Sequence, residues 1–179
     1  MTFHNFLSKL NWRLVLIHFI ACWFFMYAFS ELFILRDFKF IMSLRDIKSA
    51  RNLGTHKFLP GDMERLVSVA LWMSYSYCLG LLTALIISLL LSYKKRWHLL
   101  NSLIAFIIAF ITWRFHISSW QYLKTIFLAP GRLFSDYTPW YYLANGLVML
   151  FLGSLLFFLK ISIDFINSAP ARKINPQNQ

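Results

Sequence analysis

The sequence predicts an all-α integral membrane protein, a four-transmembrane-helix bundle with amphipathic segments in its first and third connections. Two observations carry this expectation. Charge is scarce: charged residues make up 14% of the 179, against roughly 25% in an ordinary soluble domain, while hydrophobic residues reach 59%. Charge is also segregated, leaving uncharged runs at residues 14–30, 66–93, 97–113 and 137–159. As helices these would span about 25, 42, 25 and 34 Å, against a hydrocarbon core of about 30 Å. Helices buried in a soluble protein keep a polar stripe, and these runs have almost none.

The first helix is expected over about 14–35. Ala28-Phe29-Ser30 resembles a small-x-small peptidase site, but the apolar stretch continues through Leu32 to Leu35, so the helix is expected to be retained. A long, charged connection follows. Within it, residues 37–50 place Phe38, Ile41, Met42 and Ile47 near one helical face, with Lys39, Arg45 and Lys48 elsewhere. That pattern suits a helix lying in the membrane interface or packed on the bundle end. The second helix is expected over about 66–92; its run is read as one span plus an interfacial turn rather than as two spans. The basic turn Lys94-Lys95-Arg96 leads to a third helix over about 97–117. Residues 117–128, with Trp120 and Tyr122, are again amphipathic. Pro130-Gly131 and Thr138-Pro139 break the chain before a fourth helix over about 139–161. Residues 1–168 thus form one membrane domain, and the polar tail 169–179 is expected to be disordered.

The net charge of +11 sits in loops and ends. Basic residues flanking apolar spans meet lipid phosphates and set topology, which argues for the bilayer as partner and against nucleic acid. With four spans, Lys9, Arg13, Lys94, Lys95, Arg96, Lys160, Arg172 and Lys173 share one side, and the ten remaining Lys and Arg share the other. The raw count slightly favours the second side. Dense charge in a short loop weighs more, so both termini are expected in the cytoplasm of a cell membrane. Cys22 and Cys78 fall inside spans and read as small packing residues, not as a disulfide framework.

One layer gathers polar residues. Arg13 to Glu31 and Arg96 to Arg114 are each 18 residues, about 27 Å along a helix, so Glu31 and Arg114 are expected at one depth near the outer edge of the hydrocarbon. The same count back from Lys94 reaches Ser76, between Tyr75 and Tyr77; back from Lys160 it reaches Tyr142, beside Tyr141. His116, Asp136 and Asn145 lie at the edges of this layer. Charges at such depth are functional candidates, and an ion pair between Glu31 and Arg114 is the sharpest expectation. The competing reading is an interfacial aromatic belt of Trp72, Trp113, Trp120, Trp140 and Tyr141, with Arg114 snorkelling to the headgroups.

Other patterns carry less. His18 and His98 have similar inner depth, yet paired axial ligation of a haem needs both imidazoles facing a macrocycle, so no cofactor and no metal are expected. Arg51 and His56 have the R-x4-H spacing of some metal-independent RNases, which require a soluble helical bundle that this loop has no room for. No phosphate loop, HExxH, CxxC or GxSxG occurs, and no carboxylate pair is evident. Ser30-Glu31-Leu32, Leu59-Pro60 and Gly80 stand roughly where the DoxX and MauE-like four-helix membrane proteins carry comparable patches. The layout of residues 13–92 resembles those proteins, with Glu31 where a lysine would be expected; the resemblance implies a supporting role near a redox or quinone-linked partner. From the residues themselves, the expectation is a non-enzymatic component or regulator of a membrane assembly, in contact with other subunits or with its own copies. A homo-oligomeric channel or carrier is the further alternative.

Overall fold

The computed structural model describes residues 10–49, 61–115, 129–135 and 138–168, with side-chain burial given for all of these except 44–49, 129 and 130. Among them there are helices and turns but no strand. In chain order these are α1 (Trp12–Ile34), α2 (Phe38–Ser49), α3 (Asp62–Lys94), α4 (Leu99–Arg114), a 3-10 turn (Ala129–Leu133), α5 (Pro139–Phe158) and α6 (Lys160–Asn167). Three of them, α1, α3 and α5, are long and apolar enough to cross a membrane, and α4 is a shorter apolar helix. The amphipathic segment 117–128, the R-x4-H pair and the tail 169–179 lie outside the described residues.

α1 sits at the centre, with α3, α4 and α5 packed around it. Among the helices packed on α1, both α3 and α5 run antiparallel to it. His18 meets Ser88, Gly80 lies against Phe25, and Phe33 stacks on Trp72, so α3 runs antiparallel to α1. Gly153 lies against Phe25 and Gly146 against Leu32, so α5 does too.

The packing reverses the usual rule of large apolar residues inside. The buried face of α3 includes Ser76, Gly80, Ala84, Ser88 and Ser92, a strict four-residue ladder of small side chains. α4 buries Asn101, Ser102, Ala105 and Ala109. Many large residues of the same helices, among them Leu71, Leu79, Leu82, Ile86, Leu90, Ile107 and Phe110, point outward, while Val69, Leu81 and Leu91 of α3 are buried. Water would penalise such a surface heavily, whereas lipid does not, and small residues let helices approach closely when no hydrophobic force drives them together. Gly80 shows how close: a Cβ there would lie 2.6 Å from the Phe25 carbonyl oxygen and 2.9 Å from the Met26 Cα. Only α1 buries large residues on most sides, including Leu14, Trp23, Phe25 and Met26.

Three boundaries differ from expectation. α3 is one continuous helix of 33 residues, about 50 Å, and its surplus lies at its polar start, with Asp62, Glu64 and Arg65 in the first turn; the bundle end where α3 starts is labelled outer and the end where α1 starts inner. α4 ends at Arg114 rather than near 117. α5 stops at Phe158, because Leu159 is extended (ψ 132°) and α6 turns back onto the start of α1. That turn is held by burial of Ile166 and by Arg13, which donates to the Phe165 carbonyl (3.2 Å) and to Ser168 Oγ (2.7 Å). α2 folds onto the opposite end with Phe40 and Met42 buried and Phe38 against Tyr142, while Ile41 of the expected face is only half-buried.

Candidate functional site

At the inner end, polar side chains tie four elements together. Asn11 caps α1 by accepting from the backbone of Arg13 and Leu14. Its own amide donates to the Ile166 carbonyl of α6 (3.0 Å), and its backbone N–H donates to Asn101 Oδ1 of α4 (3.0 Å). About two turns deeper, His18 Nδ1 and Ser88 Oγ lie 2.6 Å apart, both buried. Ser92 and Ser102 hydroxyls are 2.8 Å apart, and Ser102 Oγ is 3.4 Å from the Ser88 carbonyl. Ser102 has one proton, so both contacts hold together when Ser92 donates to Ser102 and Ser102 to that carbonyl. The His18 ring also meets Phe157 edge-on at 5.1 Å. Its Nε2 is buried without a hydrogen-bond partner among the described residues. Trp97 Nε1 donates to Asn167 Oδ1 (3.0 Å) and closes this end.

At the outer end, the residues expected in one layer separate by azimuth. Glu31 is 3% exposed, Ser76 is buried with its hydroxyl donated to the Met73 carbonyl (2.7 Å), and Tyr142 is buried. Tyr75 is exposed, and Tyr77 is half-buried between Tyr27 (6.2 Å) and Trp113 (5.9 Å). Tyr141 is half-buried against Tyr142. Arg114 is exposed at the end of α4, and His116 and Asp136 lie outside the described residues. Successive residues on a helix are 100° apart, so Tyr75, Ser76 and Tyr77 cannot share a face. Glu31 is thus enclosed while Arg114 is exposed. Asn145 is fully buried, its two amide atoms have no hydrogen-bond partner among the described residues, and it presses on Gly131 so closely that any Cβ there would collide with it.

A group of charged contacts lies at the elbow between α1 and α2. Asp37 lies 3.9 Å from Arg36 and 3.8 Å from Arg65. The Arg36 guanidinium covers the Trp72 ring at 4.2 Å, and Arg65 covers Phe40 at 4.6 Å. These groups are partly exposed, so each contact contributes on the order of 1 kcal/mol or less.

Of the buried titratable side chains on α1, His18 and Glu31 lie 13 residues apart, about 20 Å, and about 220° apart around its axis, with Cys22 one turn from His18. His18 and Glu31 cannot exchange a proton directly. His98 is exposed and caps α4 with its Nδ1 (3.4 Å to the Leu100 N–H), whereas His18 is enclosed; this is not the matched pair that axial haem ligation requires. Among the described residues no group of three or more His, Cys, Asp and Glu converges as metal ligands.

The fold and these interior groups define a class: an all-helical bundle with membrane-type packing and hydrogen-bonded polar joints between its helices. Against known protein families, curated proteins and solved structures, the chain matches none. The DoxX- and MauE-like layout therefore stays a resemblance in the order of elements.

Proposed function

We propose that this chain is a four-span membrane protein, with α4 as the fourth span, that serves as a non-enzymatic component or regulator of a larger assembly in the cell membrane. One observation carries the membrane part: small and polar residues line the helix contacts while large apolar residues cover α3, α4 and α5 on the outside. The non-enzymatic part is supported by the interior, where His18 and Glu31 are too far apart for acid–base work and the hydroxyls are engaged in joining helices. α4 reaches about 24 Å, and flanking Trp97 and Arg114 extend it to the headgroups.

Affinity purification in a mild detergent tests the role. Other membrane subunits should co-elute in fixed proportion. A bound quinone or a visible chromophore would replace this reading with a redox-linked subunit, and symmetric oligomers of the chain alone with a channel or carrier. Cysteines introduced at Gly61 and Asn178 test the topology: in intact cells only the first should react with an impermeant reagent. Labelling at Asn178 would overturn the cytoplasmic assignment.

A further inference from the structure

The two ends of the bundle differ in charge. Among the described residues the inner end carries five basic residues, Arg13, Lys94, Lys95, Arg96 and Lys160, against a single acid, Asp164, whereas at the outer end Glu31, Asp37, Asp62 and Glu64 stand among the basic residues. Lys94, Lys95, Arg96 and Lys160 of the inner end are all exposed, and among the described residues none of them has an acidic partner. Arg13 is already committed to holding α6, with its guanidinium 4.8 Å above the Phe165 ring.

We infer that this end is a binding surface for anionic phospholipid headgroups, built from the Lys94–Arg96 turn, Lys160 and the interfacial helix α6. The inference rests on the membrane reading above and adds a lipid class and a place to it. α6 has the form required of a helix lying in the interface. Its buried side carries Ser162 and Ile166, the latter packed with Leu14 and Ile17 of α1, and Ile161 and Phe165 are exposed, continuous with Phe158 and Leu159 at the break. The asparagine Asn167 receives the Trp97 indole N–H, which seats the basic turn directly beside α6. Exposed Trp12 and Tyr93 place amphipathic rings at the same level. Apolar side chains therefore enter the acyl boundary while three consecutive cations and Lys160 stand at phosphate level, the combination that favours anionic over zwitterionic headgroups.

The turn also offers a clean variant. Arg96 adopts φ 56°, the left-handed region that glycine enters without cost. Arg96→Gly removes a cation while relieving the backbone, so loss of lipid response there cannot be ascribed to a damaged fold.

The experiment is thermal unfolding of the full chain in nonionic detergent, titrated with phosphatidylglycerol, with phosphatidylcholine, or with inorganic phosphate. Phosphatidylglycerol should raise the melting temperature saturably, and the other two should not. Arg96→Gly should weaken the apparent affinity about fivefold, and the triple change Lys94→Gln, Lys95→Gln, Arg96→Gln on the order of a hundredfold. An equal response to phosphatidylcholine, an unchanged response in the triple variant, or reproduction of the effect by phosphate alone would overturn the inference. A chain that requires detergent but shows no anionic preference refutes only this surface; one that is soluble without detergent refutes the membrane reading as well.

Discussion

The inner and outer ends of the bundle use polar residues in opposite ways. At the inner end, short side chains meet across helices: His18 with Ser88, Ser92 with Ser102, Asn11 with Asn101 and with the end of α6. At the outer end, the longer polar residues scatter, with Tyr75 and Arg114 outward, Glu31 and Tyr142 inward, and Asn145 enclosed without hydrogen bonds among the described residues. Short hydroxyls and amides join helices where backbones approach closely, because a donor and acceptor must come within about 3 Å. Long phenols and guanidinium groups are amphipathic and reach the headgroups from the surface. Equal depth is thus enough to place residues in one slab but not to bring them together.

The largest expected effect tests the inner end. His18→Ala removes a fully buried ring packed on Phe157 and leaves Ser88 without it, and should cost about 3 kcal/mol in thermal unfolding in detergent. A cost under about 1 kcal/mol would mean that the inner joint is not a stabilising element. Asn145→Ala at the outer end should cost less, about 1 kcal/mol, because lost packing is offset by removal of a buried amide that the described residues leave unsatisfied. If Asn145→Ala proves costlier than His18→Ala, the contrast between the ends is reversed. Ser102→Ala should cost roughly 0.6–1 kcal/mol, with Ser92→Ala coupled to it in a double-mutant cycle. Strict additivity would show that the 2.8 Å contact carries no energy. The smallest effect is expected for the coupling of Glu31→Gln with Arg114→Gln, at most about 1 kcal/mol, since Arg114 is exposed. A coupling of about 3 kcal/mol would instead show Arg114 closing onto a desolvated Glu31 as an ion pair.

The sequence by itself determined the helical class, because charge segregation and apolar run length depend only on composition along the chain. It determined the cores of α1, α3, α4 and α5 for the same reason, whereas the Asn11 cap of α1 came from the structure. The count of 18 residues from the basic residues runs along one unbroken helix for Arg13 and Glu31, whereas Arg96 lies before α4 and Lys160 beyond the break at Leu159; rotation about each axis is in any case fixed by neighbours. Tertiary packing alone turned Glu31 inward and Arg114 outward, put His18 against Ser88 some seventy positions away, and stopped α5 at Leu159 so that α6 could bury Ile166 against α1. Those facts depend on which helix lies beside which, and a one-dimensional pattern of polarity carries depth and face but not neighbour.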